Sequence, residues 1–270
     1  HGLRWKIPAP GKSMKKKIHE LIAKKNKSKI VSLTAYSKNY AKILDKYCDI
    51  ILVGDSLANV LYGMKSTNKV SLEMMANHAK SVMQGVKKSL CVVDMPKGTY
   101  DTPESAIKNA RYLLKVSKCD AIKIESNNKN FKIIKKLIES NISVMGHIGF
   151  TPQYKKKFKV QGLNHKQENQ LINESIQIEK EGAFSIVLEG IKTNVAKKIT
   201  SIIKIPTIGI GSSIFCDGQI IVTDDMIGLS GFYPKFVKKY LNLEKLINVA
   251  VKRFKKDILI KKFPNSSNTY

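Results

Sequence analysis

Short apolar runs rich in β-branched residues alternate with segments of helical periodicity along most of this chain. Few of these runs alternate strictly between apolar and polar residues, which is typical of strands covered on both faces, as in parallel sheets. About eight such strands, alternating with helices over about 250 residues, predict an α/β fold of the (β/α)8 TIM-barrel class. The predicted strands cover 29–34, 49–53, 90–93, 121–124, 142–145, 185–188, 206–210 and 226–229.

A doubly wound open sheet is the alternative interpretation of the same alternation. Its nucleotide-binding versions lack support, because no Gly-x-Gly-x-x-Gly follows the first strand and no Gly-x4-Gly-Lys-Ser/Thr motif occurs. Helices are predicted between the strands, with Thr102 as an N-cap, Pro103 at a first helical position and Gly182 at a C-terminal cap. Their predicted ranges are 71–85, 102–115, 130–140, 166–182 and 194–203.

One barrel domain is predicted over residues 14–262. Residues 1–13 show no periodicity and precede Met14, which looks like a natural start, so we interpret them as vector-derived or disordered. Residues 263–270 are predicted to be a disordered tail. No apolar stretch approaches the ~20 residues of a membrane helix. The four cysteines are scattered without a Cys-x-x-Cys pair, which favours a reduced, cytoplasmic protein.

The net charge of +27 raises the hypothesis of nucleic-acid binding. Arginine, the preferred residue for forked phosphate and base contacts, occurs only at Arg4, Arg111 and Arg253. The remaining positive charge is lysine, spread over the whole length. We therefore expect a solvated basic surface that attracts acidic metabolites, and no nucleic-acid partner.

Polar residues follow or end successive predicted strands. They are Asp55 and Ser56, Asp94, Lys123 and Glu125, His147, and Glu189. Each has an ordinary structural alternative, and for Asp55 and Ser56 it is a turn that caps the next helix. Because a barrel gathers its chemistry at the C-terminal ends of its strands, the set as a whole predicts an active site there.

Three carboxylates from neighbouring strands suit a hard divalent cation such as Mg²⁺. Zinc is less favoured, because no His/Cys cluster has suitable spacing. A metal chelated by an α-keto acid would polarise the carbonyl and stabilise an enolate. Glu189 could then take the α-proton, and Lys123 could neutralise the substrate carboxylate or the enolate oxygen.

Nine stretches of the chain, in one order, match a known family. The chain resembles the ketopantoate hydroxymethyltransferase (3-methyl-2-oxobutanoate hydroxymethyltransferase) family. The matching stretches are SLTAY (32–36), ILVGDSL (51–57), DMPKGTYDTPESAIKNA (94–110), AIKIE (121–125), GHIGFTPQ (146–153), KFKVQG (157–162), IVLEG (186–190), IPTIGIGSSIFCDGQIIVTDDMIGL (205–229) and PKFVKKY (234–240).

The resemblance implies a TIM barrel of the phosphoenolpyruvate/pyruvate type, assembled as a homo-oligomer, typically a decamer. It implies Mg²⁺-dependent transfer of a hydroxymethyl group from 5,10-methylenetetrahydrofolate to 3-methyl-2-oxobutanoate, giving 2-dehydropantoate for pantothenate biosynthesis. By motif, the metal ligands are Asp55, Asp94 and Glu125, and the proton acceptor is Glu189. The keto-acid contacts are Asp55, Ser56, Asp94 and Lys123, with His147 in a supporting polar role.

The chain departs from the family pattern in loops near the predicted site. The departures are Ser37, Lys69, Lys97, Lys155, Lys156, Lys157 and Ser212. They leave open a paralogue that acts on a related α-keto acid. They also leave open another enolate-forming enzyme of the superfamily, such as a C–C or P–C lyase or mutase. A third hypothesis is a polyanion-binding protein that retains only the barrel.

Overall fold

The computed structural model describes residues 12–126 and 130–270, with side chains from Met14 onward. The chain divides into two compact units, one that ends at Ile221 and one that spans Val222–Tyr270. Residues 1–11 lie outside the described residues, as does most of the predicted N-terminal segment.

The first unit is a closed barrel of eight parallel strands in sequential order. Pairing of the first strand with the eighth closes the barrel. This confirms the predicted TIM-barrel class and excludes the open sheet. The strands are β1 (Ile30–Thr34), β2 (Ile50–Val53), β3 (Leu90–Asp94), β4 (Ala121–Glu125), β5 (Val144–Gly149), β6 (Ser185–Glu189), β7 (Thr207–Ile210) and β8 (Gly218–Ile221).

Helices connect the strands, and the five predicted helices are confirmed. The helices of the first unit are α1 (Lys12–Ala23), α2 (Lys38–Leu44), α3 (Leu57–Val60), α4 (Leu72–Met83), α5 (Pro103–Ser117), α6 (Phe131–Glu139), α7 (His165–Lys180) and α8 (Thr193–Ile202), with a 3-10 helix at Thr67–Lys69. Gly182 has φ +97°, as a C-terminal cap requires.

The eighth strand was predicted at 226–229, and that prediction is wrong. Met226 ends a short helix, and Gly228 has φ +74°, a left-handed conformation that an extended strand does not adopt. The real β8 begins at Gly218, which pairs with both neighbouring strands. A Cβ on Gly218 would lie 2.6 Å from the carbonyl oxygen of Ile30, so the glycine allows the close approach that closes the barrel.

Two apolar clusters hold the barrel together. The larger one lies between the strands and the surrounding helices. The smaller one collects inward-facing strand residues such as Leu52 and Val92 together with Ile18 and Leu21 of α1. Helix α1 therefore contributes to the smaller cluster.

Ion pairs anchor α1 and the residues after it at the N-terminal ends of the strands. Lys17 pairs with Asp120 before β4 at 3.3 Å, and Lys25 pairs with Asp217 before β8 at 2.7 Å. Helix α1 and the residues after it therefore occupy the N-terminal ends of these strands, and the opposite, C-terminal ends are left available for a functional site.

Thr102 caps α5 through a reciprocal pair of bonds with Ser105. We expect Thr102→Ala to lower the free energy of unfolding by about 1 kcal/mol, because one orphan helix N–H loses its acceptor. Urea denaturation would measure the change. Ser201→Ala, inside α8, is the control and should be near neutral, since alanine favours helix interiors. Equal losses in the two variants would contradict the capping role.

The second unit contains α9 (Thr223–Met226), α10 (Leu243–Leu259) and a 3-10 helix at Ser266–Asn268. Asn242 caps α10 by accepting the N–H of Lys245, 3.1 Å away. Several large apolar side chains of α10, including Leu246 and Phe254, are exposed. The predicted single domain over 14–262 with a disordered tail stays a prediction.

All four cysteines are buried free thiols, in line with the reduced protein that the sequence favours. Within the residues that the structure describes, no helix has the length and apolar character needed to cross a membrane.

Candidate active site

The predicted acids converge at the C-terminal end of the strands. Asp94 and Glu125 are the last residues of β3 and β4, and Asp55 lies two residues beyond β2. All three are buried, with at most 6% of their surface exposed. The strand register sets Asp94 beside Lys123 and Glu125 beside His147. The polar residues that the sequence singled out therefore share one buried region.

Asp94 lies at the centre of this region. Its Oδ1 is 2.7 Å from the Nζ of Lys123, and its Oδ2 accepts the backbone N–H of Asp55 at 3.0 Å. Gly54 leaves room for the hydroxyl of Ser56. A Cβ there would lie 2.8 Å from the Oγ of Ser56 and 3.5 Å from the Oδ2 of Asp94.

Ser56 does not use its side chain as a helix cap, although it stands at the N-cap position of α3. Its hydroxyl lies 2.7 Å from the phenol oxygen of Tyr36 instead. The capping alternative is therefore wrong for this side chain. Tyr36, which sequence reasoning did not single out, orients Ser56 at the edge of the site.

Sequence reasoning also failed to identify Gln153 and Tyr100 as residues of the site. Gln153 is buried in the loop after β5, and its side-chain amide donates to Asp55 while its backbone N–H donates to Glu125. The hydroxyl of Tyr100 donates to the amide oxygen of Gln153. The signal in the sequence was the GHIGFTPQ stretch, which ends at Gln153. A polar residue in a loop gives no indication by itself that its amide is buried.

His147 joins Glu189 to the rest of the site. Its Nε2 is 3.1 Å from the Oε2 of Glu189, although the contact is poorly directed for a hydrogen bond. Its Nδ1 lies 3.5 Å from the Nζ of Lys123. Because an ammonium can only donate, this contact favours the tautomer with the proton on Nε2, facing the carboxylate.

Burial and mutual repulsion shift the titration of the acids upward. Burial first, and then the charge of Asp94, raises the pKa of Asp55 to about 7. Burial also raises the pKa of Glu125, and it raises that of Glu189 to about 8. Lys123 opposes each of these shifts. Perturbed acids gathered in this way are typical of a catalytic or metal-binding site.

Lys123 and His147 respond to the same environment in opposite ways. Burial alone would lower the pKa of Lys123, but the charges of Asp94, Asp55 and Glu125 raise it above its usual value. Burial, followed by the charge of Lys123, lowers the pKa of His147 well below its usual range. The site therefore holds a charged lysine and a neutral imidazole near neutral pH.

The raised acid pKa values predict a stability that falls as pH rises from about 4 to about 8. In this range the folded chain retains protons on Asp55 and Glu189 that the unfolded chain releases, so the slope is negative. Each retained proton contributes about 1.4 kcal/mol per pH unit. Urea denaturation across this pH range, with a chelator present, would measure the slope. A flat or rising profile would contradict the assigned shifts.

The loop departures from the family pattern lie in different environments. Lys97 is exposed, with its Nζ 5.6 Å from the ring centroid of Tyr154. Lys155 is half-buried and binds the carbonyl oxygen of Gly149 and the Oε1 of Gln161. It lines a cavity of about 260 Å³, and its charge contributes to the lowered pKa of His147. Lys155 is thus a residue that departs from the family pattern and whose charge affects a side chain of the site.

The chemistry of the donor set fits a hard divalent cation. Asp55, Asp94 and Glu125 offer buried carboxylate oxygens, and their combined negative charge exceeds the charge of Lys123. A second positive charge would relieve the repulsion that raises the acid pKa values. Among the described residues, no group of three His, Cys, Asp or Glu side chains is already arranged as a metal site. The metal assignment therefore stays a prediction.

Comparison with known sequences agrees with this picture. The family model for ketopantoate hydroxymethyltransferase matches residues 15–266. The chain belongs to the ketopantoate hydroxymethyltransferase family. A relative from Pelagibacter ubique, named 3-methyl-2-oxobutanoate hydroxymethyltransferase, is 52% identical over 257 residues, which cover 95% of this chain and all of the relative. The predicted resemblance to the ketopantoate hydroxymethyltransferase family is confirmed.

Solved structures show the same fold at low sequence identity. A 2,3-dimethylmalate lyase of the PEP mutase/isocitrate lyase superfamily aligns with TM-score 0.61 and 13% identity, over 97% of this chain and 89% of the lyase. A phosphonopyruvate hydrolase in complex with oxalate and Mg²⁺ aligns with TM-score 0.58 and 12% identity, over 93% of each chain. These matches confirm the barrel fold of the chain.

Proposed function

We propose that this protein transfers a hydroxymethyl group from 5,10-methylenetetrahydrofolate to 3-methyl-2-oxobutanoate and forms 2-dehydropantoate for pantothenate biosynthesis. The observation that carries the proposal is the buried cluster of Asp55, Asp94, Lys123 and Glu125, with the partly buried Glu189 beside it, in a chain of this family. It joins excess carboxylate charge to a separate acid whose pKa of about 8 suits a base.

Glu189 is the group proposed to take the proton from C3 of the keto acid. Breaking this C–H bond leaves its electron pair in an enolate, whose C3 then attacks the one-carbon unit of the folate. The two C–N bonds that join the one-carbon unit to the folate break, and one water supplies the hydroxyl group. The proton taken from C3 and the remaining proton of that water end on the two folate nitrogens, so tetrahydrofolate leaves. The Glu189 carboxylate lies at the edge of the site, 3.1 Å from the Nε2 of His147.

Lys123 and Ser56 are proposed to hold the substrate. Lys123 carries a positive charge that suits the substrate carboxylate or the developing enolate oxygen. Ser56, oriented by Tyr36, offers a hydroxyl to the same carboxylate. Asp55, Asp94 and Glu125 would hold a Mg²⁺ ion. When bound, this ion would polarise the keto carbonyl and stabilise negative charge on its oxygen.

A direct assay tests the proposal. The purified protein is incubated with 3-methyl-2-oxobutanoate, 5,10-methylenetetrahydrofolate and Mg²⁺, and 2-dehydropantoate is measured by mass spectrometry. We expect product that depends on both folate and metal and that disappears with a chelator. No product under these conditions would overturn the proposed reaction.

An enolate-forming enzyme that acts on a related α-keto acid is the alternative, motivated by the charge that Lys155 places near the site. Deuterium exchange at C3 of 3-methyl-2-oxobutanoate in D2O, without formation of 2-dehydropantoate, would favour it. Lys155→Gly would then test whether this lysine sets the choice of substrate or donor.

The chain is also proposed to act as a cytoplasmic homo-oligomer, in line with the decamer that the resemblance implies. The exposed apolar side chains of α10, among them Leu246, Phe254 and Leu259, support association, because large exposed apolar patches mark interaction surfaces. Analytical ultracentrifugation would measure the state, and a monomer at micromolar concentration would contradict it.

A further inference from the structure

Gln153 touches the tip of every strand that carries a candidate metal carboxylate. Its backbone N–H donates to the Oε2 of Glu125 at 3.0 Å. Its side-chain Nε2 donates to the Oδ2 of Asp55 at 2.9 Å and to the carbonyl oxygen of Met95, next to Asp94, at 3.0 Å. The residue is 2% exposed. One loop side chain thus ties together the ends of β2, β3 and β4.

The orientation of this amide follows from its partners. A carboxylate and a carbonyl oxygen only accept, so the two amide hydrogens must face Asp55 and Met95. The amide oxygen then faces Tyr100, whose hydroxyl must donate to it. Tyr100 is 1% exposed, and burial raises the pKa of its phenol, which keeps the donating proton in place. Tyr100 therefore locks the amide in its orientation.

Neutral donors suit this position better than a second cation would. The amide offsets the repulsion between Asp55 and Glu125 without adding a positive charge that would compete with a metal ion. Its bonds use one oxygen of each carboxylate, Oδ2 of Asp55 and Oε2 of Glu125. The second oxygen of each carboxylate is the one left for a ligand role.

We propose that Gln153, oriented by Tyr100, is a positioning residue that holds Asp55 and Glu125 in place for a divalent cation. The inference rests on the proposed function, because it requires that this site binds metal. Residues that orient metal ligands by hydrogen bonds contribute about 10- to 100-fold to metal affinity. Gln153 acts through the carboxylates and does not contact the reacting atoms.

Metal binding without turnover tests the inference. Mn²⁺ and Mg²⁺ affinities are measured by calorimetry on wild-type protein, Gln153→Leu and Tyr100→Phe. We expect Gln153→Leu to weaken the metal Kd about 10- to 100-fold. Tyr100→Phe should weaken it by about 2- to 10-fold, the equivalent of one neutral hydrogen bond. Gln170→Leu, which removes an amide bonded to Glu174 on α7, is the matched control and should bind metal like the wild type.

A second readout separates positioning from a general loss of structure. If Gln153 positions metal ligands, the turnover deficit of Gln153→Leu shrinks as Mg²⁺ is raised. A merely structural role would leave the deficit unchanged. If Gln153→Leu does not fold, Tyr100→Phe tests the inference, because this variant retains the side-chain amide of Gln153 with both of its donor hydrogens.

The outcomes also distinguish the inference from the proposed function. Wild-type metal affinity in folded Gln153→Leu or Tyr100→Phe would overturn the inference alone and leave the reaction standing. Failure of the wild-type protein to bind either metal, with and without 3-methyl-2-oxobutanoate, would overturn the inference together with the metal-dependent reaction.

Discussion

Glu189→Gln is expected to lower kcat by roughly 10²- to 10⁴-fold, the range that a positioned general base contributes. The amide is nearly isosteric with the carboxylate but cannot accept the C3 proton. In the variant, the amide oxygen of glutamine can take the place of the Glu189 oxygen that lies 3.1 Å from the Nε2 of His147, so the rest of the site should be unchanged. Metal affinity should therefore change little, since Glu189 is not among the proposed ligands.

The pH profile gives a second test of Glu189. A base must be ionised to act, so kcat/KM of the wild type should rise with pH through the free-enzyme pKa, which burial raises to about 8. The variant should lose this rise. Steady-state formation of 2-dehydropantoate and C3 deuterium exchange would measure both effects. Glu168→Gln, on α7, is the matched control and should keep wild-type rates. Undiminished turnover in Glu189→Gln would show that another group is the base.

The barrel was predictable because its strands are covered on both faces and therefore read as continuous apolar runs. Position along the chain then placed Asp55, Asp94, Glu125 and Glu189 at one end of the barrel before any contact was known. Local sequence carries this information, since a residue that directly follows a buried parallel strand must emerge at its C-terminal edge.

The errors have local causes. The run at 226–229 is apolar, but Gly228 adopts φ +74°, while the true strand begins with Gly218 and a polar Gln219. Strand β5 was predicted at 142–145 but spans Val144–Gly149, so His147 lies within it, not after it. Pairing with neighbouring strands, such as that between Gly218 and Ile30, determines which residues form a strand, and a single apolar run does not reveal its partners.

The roles of the supporting side chains could not be predicted from the sequence, for a different reason. Gln153 is 98 residues from Asp55 along the chain, and Tyr36 is 20 residues from Ser56. Their roles depend on distance and on the direction of single hydrogen bonds. Only the folded chain fixes these quantities, because neither residue type signals burial in a polar network.

Lys123→Met is expected to lower the free energy of unfolding by about 3–5 kcal/mol at pH 8 in the presence of a chelator. Removing one partner of a buried ion pair leaves the other charge uncompensated, and such losses reach this size. Lys123 is 5% exposed, and its Nζ is 2.7 Å from the Oδ1 of Asp94. Methionine fills a similar volume without charge, so the loss reports electrostatics more than packing.

The sign of the pH dependence distinguishes this cause from a packing defect. Lys123 lowers the pKa values of Asp55 and Glu125, so its removal raises them further above their unfolded values. The added penalty is present above the folded-state pKa values of these acids. It fades as pH falls toward 4, because both carboxyl groups are then protonated in the folded wild type and in the folded variant. Urea denaturation at pH 5 and pH 8 would therefore show a smaller deficit at the lower pH.

A partly exposed lysine provides the control for Lys123. Lys24 pairs with Asp49 at 2.5 Å, but about a third of its side chain remains in contact with solvent. Lys24→Met should therefore cost less than about 1 kcal/mol, as exposed ion pairs do. Equal losses in the two variants, or a Lys123→Met deficit that does not change with pH, would mean that packing and not charge makes Lys123 important. A large deficit confined to high pH would identify Lys123 as the cation that allows Asp55, Asp94 and Glu125 to remain together in the folded chain.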